Sequence, residues 1–277
     1  MQEHLRPRLT VKRLSSIEIS LRTLIHVGKP NITYQTDQLA HYFTHHRVSW
    51  PQFYESERNI INQLALGAND SILDIGCGCG GLGLVLRDEF AVQKYTGVEI
   101  NSLAAEKAES LNPKASIFYG DFLDLRENVL RDTVFNVVFS LSCFDWNIKF
   151  SEMLAAAWDH VQPGSNLVAT FRLTTDAGCD DMKQSYQYIN FDGKMEGECA
   201  SYVVLKGAEL MHKIIGLNPT KIVAFGYYGQ PSATAVTPYE KLCFCAFSIR
   251  KRNDDHAPIQ FDLNLPEDIY ASLELVH

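Results

Sequence analysis

No run of about eighteen apolar residues occurs in this chain, and its first residues, MQEHLRPRLTVKRLSS, contain no apolar segment of the secretory kind. Neither a membrane span nor export is expected, and the cytoplasm is the expected compartment. No internal repeat and no low-complexity tract is present, so neither a stacked array nor a biased tail organises the chain. Its seven cysteines are an odd number without the spacing of a small stapled scaffold, and free thiols are expected. Positive charge is scarce beyond residue 30. Arg6, Arg8, Lys12, Arg13, Arg22 and Lys29 face only Glu3 and Glu18, so the leader carries +4 and the remainder −12 of the net −8. An acidic body repels phosphate backbones, which excludes DNA as an expected partner and disfavours RNA unless the basic leader binds it locally.

The 277 residues, 46% hydrophobic and 21% charged, can bury the core of one large domain or of a domain with a cap. Residues 37–47 and 50–65 are expected to be helical. Ser49 can cap the second helix, Pro51 suits its first turn, and Phe53, Ile60, Ile61 and Leu64 share a face. Short apolar runs then alternate with helical periods. Strands are expected at 71–75, 95–99, 115–119, 134–140, 166–172, 220–226 and 241–249, and helices at 81–89, 102–111, 149–161 and 206–216. This alternation implies an α/β fold, with a mostly parallel sheet covered by helices on both faces. Only residues 227–240, with one Gly and two Pro, separate the last two strands, so the seventh is expected to be antiparallel.

The sharpest local feature is LDIGCGCGGLG, residues 73–83, directly after the first strand. Its glycines allow a tight turn and close approach of a ligand to a helix N-terminus, and they also satisfy the dinucleotide G-x-G-x-x-G pattern. Asp74 separates these readings. A carboxylate pointing into the mouth of the loop would repel a pyrophosphate and suit an ammonium or sulfonium group. Here the sequence resembles the class I S-adenosylmethionine-dependent methyltransferases, whose first motif, an acidic residue followed by x-G-x-G-x-G, is matched by Asp74-Ile75-Gly76-Cys77-Gly78-Cys79-Gly80.

The resemblance covers roughly residues 50–250. It implies a Rossmann-like sheet of seven strands with an antiparallel seventh, an N-terminal helical cap, and S-adenosylmethionine as cofactor with S-adenosylhomocysteine as product. It also implies that Glu99, ending the second strand, binds the ribose hydroxyls, that Asp121 accepts from the adenine amino group, and that Phe122 lies against the ring. Glu99 alone fits a dinucleotide enzyme equally well. The cofactor set expected from the resemblance is Asp74, Gly76, Cys77, Gly78, Glu99, Ile100, Asp121, Phe122 and Leu141, with the backbone of Ser142 beside it.

Methyl transfer from a sulfonium can proceed by positioning alone, with a base needed only for a protonated acceptor, so no catalytic residue is dictated. After the fourth strand SLSCFDW lacks the [DN]-P-P-[YFW] tetrapeptide of methyltransferases that modify amide or base nitrogens, which counts against adenine, cytosine and glutamine side chains as acceptors, and the expected acceptor is a small molecule or metabolite. Trp146 is a candidate pocket wall or a packing residue. Arg172 could meet an acceptor carboxylate or phosphate, or form a structural ion pair. His41, His45 and His46, with Tyr42 and Trp50, lie in the cap, and His45 and Trp50 are acceptor-side candidates. His41 and His45 at i, i+4 could ligate a metal, but no third ligand is identifiable and FRLTTDAG offers no acidic pair beside Asp145, so no metal is expected. The Cys77/Cys79 and Cys243/Cys245 pairs are expected to pack.

The expected layout is a basic arm 1–30, a cap 31–65, a cofactor domain 66–250 holding an insertion at 174–200 that is either a lid or a surface excursion with a hairpin near 191–194, and a tail 251–277 with a short helix. Alternative functions are a nicotinamide oxidoreductase, a cofactor-binding regulatory or scaffold protein without catalysis, and an RNA methyltransferase using the basic leader.

Overall fold

The computed structural model describes residues 36–190, 192–253 and 258–275; the basic leader lies outside the described residues. Two cap helices come first, α1 (Gln38–Phe43) and α2 (Glu55–Asn62). The α/β body follows as β1 (Ser71–Ile75), α3 (Gly81–Phe90), β2 (Lys94–Glu99), α4 (Ser102–Leu111), β3 (Ser116–Tyr119), α5 (Phe122–Leu125), β4 (Phe135–Ser140), α6 (Phe150–Asp159) and β5 (Val161–Thr174). The insertion contributes β6 (Tyr186–Tyr188) and β7 (Cys199–Ser201), and β8 (Leu205–Lys206) follows it. The chain continues through α7 (Gly207–Gly216), β9 (Pro219–Gly229), β10 (Ala235–Val236), β11 (Leu242–Lys251), β12 (Gln260–Asn264) and α8 (Glu267–Ala271).

All seven expected strands are present, as β1 to β5, β9 and β11. They lie in the order β12-β9-β11-β5-β4-β1-β2-β3, with β8 also paired to β5. β11 runs antiparallel to both β5 and β9, because the short connection from β9 permits no crossover. Two strands go beyond the expected seven. The tail adds β12 parallel to β9 at the sheet edge, and β8 pairs with the end of β5. The tail then docks on the body through Ile269 of α8 and Leu273, both buried against the core that includes Leu210 and Ile214 of α7.

Alternation along β1 divides the core. Leu73 and Ile75 face α6 and α7, whereas Ile72 packs with Ile60 and Ile61 of α2 and Leu82, Val85 and Leu86 of α3. Asp74 shares the Ile72 face, beneath the cap.

The expected helix 50–65 is broken. Trp50–Gln52 form one 3-10 turn, Phe53 is extended, and α2 restarts after Tyr54, whose N–H donates to Glu57 Oε2 at 2.9 Å. The first helix also ends early, at Phe43 rather than 47. The loop expected at 227–240 is shorter than 14 residues, because β9 extends to Gly229 and Ala235–Val236 pair with β6. The insertion is therefore folded: β6 and β7 form an antiparallel hairpin, β10 adds a third strand, and both the N–H and hydroxyl of Thr36 donate to Glu198 Oε2 beside β7.

Candidate active site

The turn from β1 into α3 is made by Gly76, Gly78 and Gly80, all at positive φ. The loop is held from three sides. The N–H groups of Gly76 and Cys77 donate to the Val98 carbonyl. A Cβ on Gly76 would stand 2.6 Å from Cys143 Sγ, and one on Gly81 would collide with the carbonyl of Arg47 from the cap. At Gly78 an added Cβ would meet nothing within 4 Å, so the tip of the loop opens onto free space.

Glu99 stands beside that space. Its Oε2 accepts the Gly78 N–H and its Oε1 the Asn101 N–H, both at 2.8 Å. Burial pushes its pKa up, against the pull of these amides. Each oxygen keeps lone-pair capacity, so the carboxylate can accept further donors. Ile100 is half-buried next to it, and Leu141 is buried at the end of β4. The N–H of Ser142, a residue at φ 52°, is engaged by Thr170 Oγ1 at 2.6 Å.

Asp74 departs from the expectation of a carboxylate in the loop mouth. It is buried under the loop, where the Tyr95 hydroxyl donates to Oδ2 at 2.6 Å, and Gly83 leaves room for the Tyr95 ring. Burial raises its pKa from 3.8 to about 7, against the Tyr95 bond and the charge of Arg47. Asp121 caps α5, its Oδ1 accepting the Leu123 N–H at 2.9 Å. The Phe122 ring is buried in the core, edge-to-face with His160 at 5.7 Å.

The two glycine-loop cysteines separate. Cys77 packs against Gly97 of β2, while Cys79 donates to the Ala40 carbonyl of α1 and accepts from Thr44 Oγ1, joining the loop to the cap. All seven cysteines are free thiols.

The cap delivers residues that no motif announced. Arg47 Nη2 donates to Glu57 Oε1 at 2.8 Å, and the guanidinium lies 4.7 Å from the Phe53 ring centre and 5.2 Å from that of Tyr54. Burial opposes the charge of Arg47, but Glu57 raises its pKa overall, and the field of Asp74 adds to this. Beyond β4, Arg172 Nη2 lies 3.3 Å from Asp145 Oδ2 while Nη1 donates to the Asp145 carbonyl at 2.6 Å. The Arg172 guanidinium sits 3.7 Å from the Tyr202 ring centre and 4.5 Å from that of Trp146. Arg172 thus forms a buried ion pair in place of the open anion contact considered for it, and Trp146 is half-buried against Arg172 and Tyr202.

Two cap candidates lie apart from this cluster. Trp50 packs edge-to-face on Phe90, the last residue of α3 and the end remote from the glycine loop. His45 is exposed, its carbonyl accepting from Gln52 Nε2. His41 is exposed as well, and among the described residues no three His, Cys, Asp or Glu side chains converge as a metal set.

Residues 72–164, from β1 into β5 and including the glycine loop, Glu99, Asp121 and Asp145, match the family model described as a methyltransferase domain. The match spans about a third of the chain and makes this segment similar to a methyltransferase domain. Among curated relatives, a malonyl-[acyl-carrier protein] O-methyltransferase of Brevibacillus brevis is 33% identical to this chain over 101 residues. The match covers 35% of this chain and only 36% of that relative. Two solved structures show the same fold at low identity. YcgJ from Bacillus subtilis has a TM-score of 0.50 and 12% identity, covering 73% of this chain and 100% of that chain. TehB from Haemophilus influenzae has a TM-score of 0.50 and 13% identity, covering 73% and 64%. Among the described residues no helix is long and apolar enough to cross a membrane.

Proposed function

We propose that the protein transfers the methyl group of S-adenosylmethionine to a small-molecule acceptor without a metal, using residues 66–250 to hold the cofactor and residues 31–65 with 174–200 to enclose the acceptor. The observation that carries this reading is the pairing of buried Glu99 with the Gly78 N–H at the one point where the glycine loop opens onto free space. When bound, S-adenosylmethionine supplies a methyl carbon on a sulfonium with a neutral thioether as leaving group.

The chain's own residues orient and exclude. Glu99 accepts from the ribose hydroxyls, and the amides at the start of α3 and Asp74 beneath them favour the amino-acid end. Gly76 and Cys77 shape the turn, and Ile100, Leu141 and the Asp121 cap border the adenine. Tyr54 and Trp146 wall the acceptor side, and the Thr36–Glu198 contact ties the cap to the hairpin so that water is shut out. The acidic body supports a small-molecule acceptor over a nucleic acid.

Calorimetry with S-adenosylhomocysteine against reduced nicotinamides tests the reading. S-adenosylhomocysteine should bind and Glu99→Ala should weaken it by about 1–3 kcal/mol, the cost of an unpaired polar group. Binding of a nicotinamide alone would replace the proposal with an oxidoreductase. Tight S-adenosylhomocysteine binding with no labelled methyl transferred to any metabolite extract would make the protein a non-catalytic binder.

A further inference from the structure

Asp145 lies two residues beyond Cys143, whose thiol abuts Gly76 of the glycine loop, so the chain brings it close to that loop. Its carboxylate is 5% exposed and is held on one edge only. Arg172 engages Oδ2 and the main-chain carbonyl, and Arg172 is itself fixed against Tyr202 and Trp146, so the side chain cannot turn to exchange its oxygens. Oδ1 is buried with no hydrogen-bond partner. A buried carboxylate oxygen left without a donor is costly, and a folded protein retains one where a ligand completes it. Nearby, Arg47 Nη1 is also buried and unpartnered, a donor awaiting a lone pair.

The local charges decide what kind of ligand that is. Both cations already have acidic partners, Arg47 in Glu57 and Arg172 in Asp145, while Asp74 and Glu99 add further acids. Among the described residues both arginines beside Asp145 are already paired with acids, so the charge there disfavours an anionic acceptor.

We infer that Asp145 Oδ1 takes the proton of the methyl acceptor, which therefore reacts through a neutral O–H or N–H group and not through a carboxylate. The inference rests on the methyltransferase reading above. The acceptor atom's lone pair forms the bond to the methyl carbon, the carbon–sulfur bond breaks with its pair going to sulfur, and the O–H or N–H proton passes to Oδ1. Arg172 keeps its proton throughout and orients the carboxylate, and Arg47 Nη1 donates to a second atom of the acceptor. Glu57 and Arg47 from the cap, Arg172 from β5, the Tyr54 and Tyr202 hydroxyls, and the thiols of Cys143 and Cys245 are the titratable groups whose charge acts on Asp145 among the described residues.

The test uses the full chain, tritiated methyl-S-adenosylmethionine and a small-metabolite extract of the source cells. The product is typed by mild alkali, which releases methanol from carboxyl esters and leaves ethers and methylamines intact. The expected result is alkali-stable label that Asp145→Asn lowers at least 100-fold, the lower range for a lost general base. S-adenosylhomocysteine affinity in calorimetry should stay within twofold. Because Asp145→Asn strands a buried cation, Asp145→Asn/Arg172→Met is measured beside it and should show the same loss at unchanged S-adenosylhomocysteine affinity. Alkali-labile product, or transfer by either variant within threefold of wild type, overturns the inference and leaves the methyltransferase reading standing. Failure of the wild type to bind S-adenosylhomocysteine defeats that reading, and the inference with it.

Discussion

Replacing Asp74 by Asn tests the electrostatics under the glycine loop. Asn preserves the size of the side chain and an oxygen for the Tyr95 hydroxyl, which now donates to Asp74 Oδ2 at 2.6 Å. What it removes is ionisation. Burial lifts the Asp74 pKa from 3.8 to about 7. The carboxyl is therefore harder to ionise in the folded protein than in the unfolded chain, the reverse of a salt-bridged aspartate. Its contribution to stability is fully present below about pH 4 and is lost as pH rises through 7. At about 1.4 kcal/mol per pH unit between the two pKa values, the loss approaches ~4 kcal/mol by pH 8. Urea unfolding of both proteins at intervals from pH 4 to pH 8 isolates the term, because groups common to both cancel in the difference. The stability of Asp74→Asn relative to wild type should climb across that range by an amount of this order. A flat difference would mean that Asp74 ionises normally and that the loop is not underlain by a reluctant acid.

Two further perturbations probe the cap. Gly81→Ala places a methyl against the Arg47 carbonyl, so the segment around Arg47 must move; a loss of about 1–3 kcal/mol in chemical unfolding is expected, with faster proteolysis between residues 44 and 54, and a wild-type cleavage pattern would contradict the contact. Glu57→Gln leaves the Arg47 guanidinium without its anion; with Glu57 fully buried and the Arg47 side chain 19% exposed, a cost of ~3 kcal/mol is expected in thermal or urea melts, and one below 1 kcal/mol would mean that water replaces the pair.

The parallel strands were legible because each is a short apolar run bounded by turn residues, and the reversal of β11 was legible because 227–240 contains no helix to cross the sheet. The glycine loop and Glu99 were legible for a similar reason: positive φ at Gly76, Gly78 and Gly80 leaves a mark in residue type. The break between Trp50 and Glu55 was hidden because the apolar face of Phe53, Ile60 and Ile61 continues across it; only the Tyr54–Glu57 cap reveals the restart. The orientation of the aromatic candidates was not legible. Nothing in the identity of Trp50 or Phe122 says which way the ring turns, and both rings turn into packing. The pairs Arg47–Glu57 and Asp145–Arg172 join residues 10 and 27 positions apart, and their partners are chosen by the sheet and the cap, not by local spacing.

The placement of β11 between β5 and β9 reverses the order in which the chain is made. β9 leaves the ribosome first yet occupies an outer position, and the strand that joins it to β5 is the one synthesised after it. During that interval β5 and β9 each present an unpaired edge with apolar residues such as Phe171 and Ile222 beside it. The sheet cannot close progressively from one side; it waits for a wedge. Until residues 242–251 emerge and slide in, the half-made protein carries two sticky seams, and nascent chains held at that stage, with β9 outside the ribosome and β11 not yet, should be most prone to pair with one another.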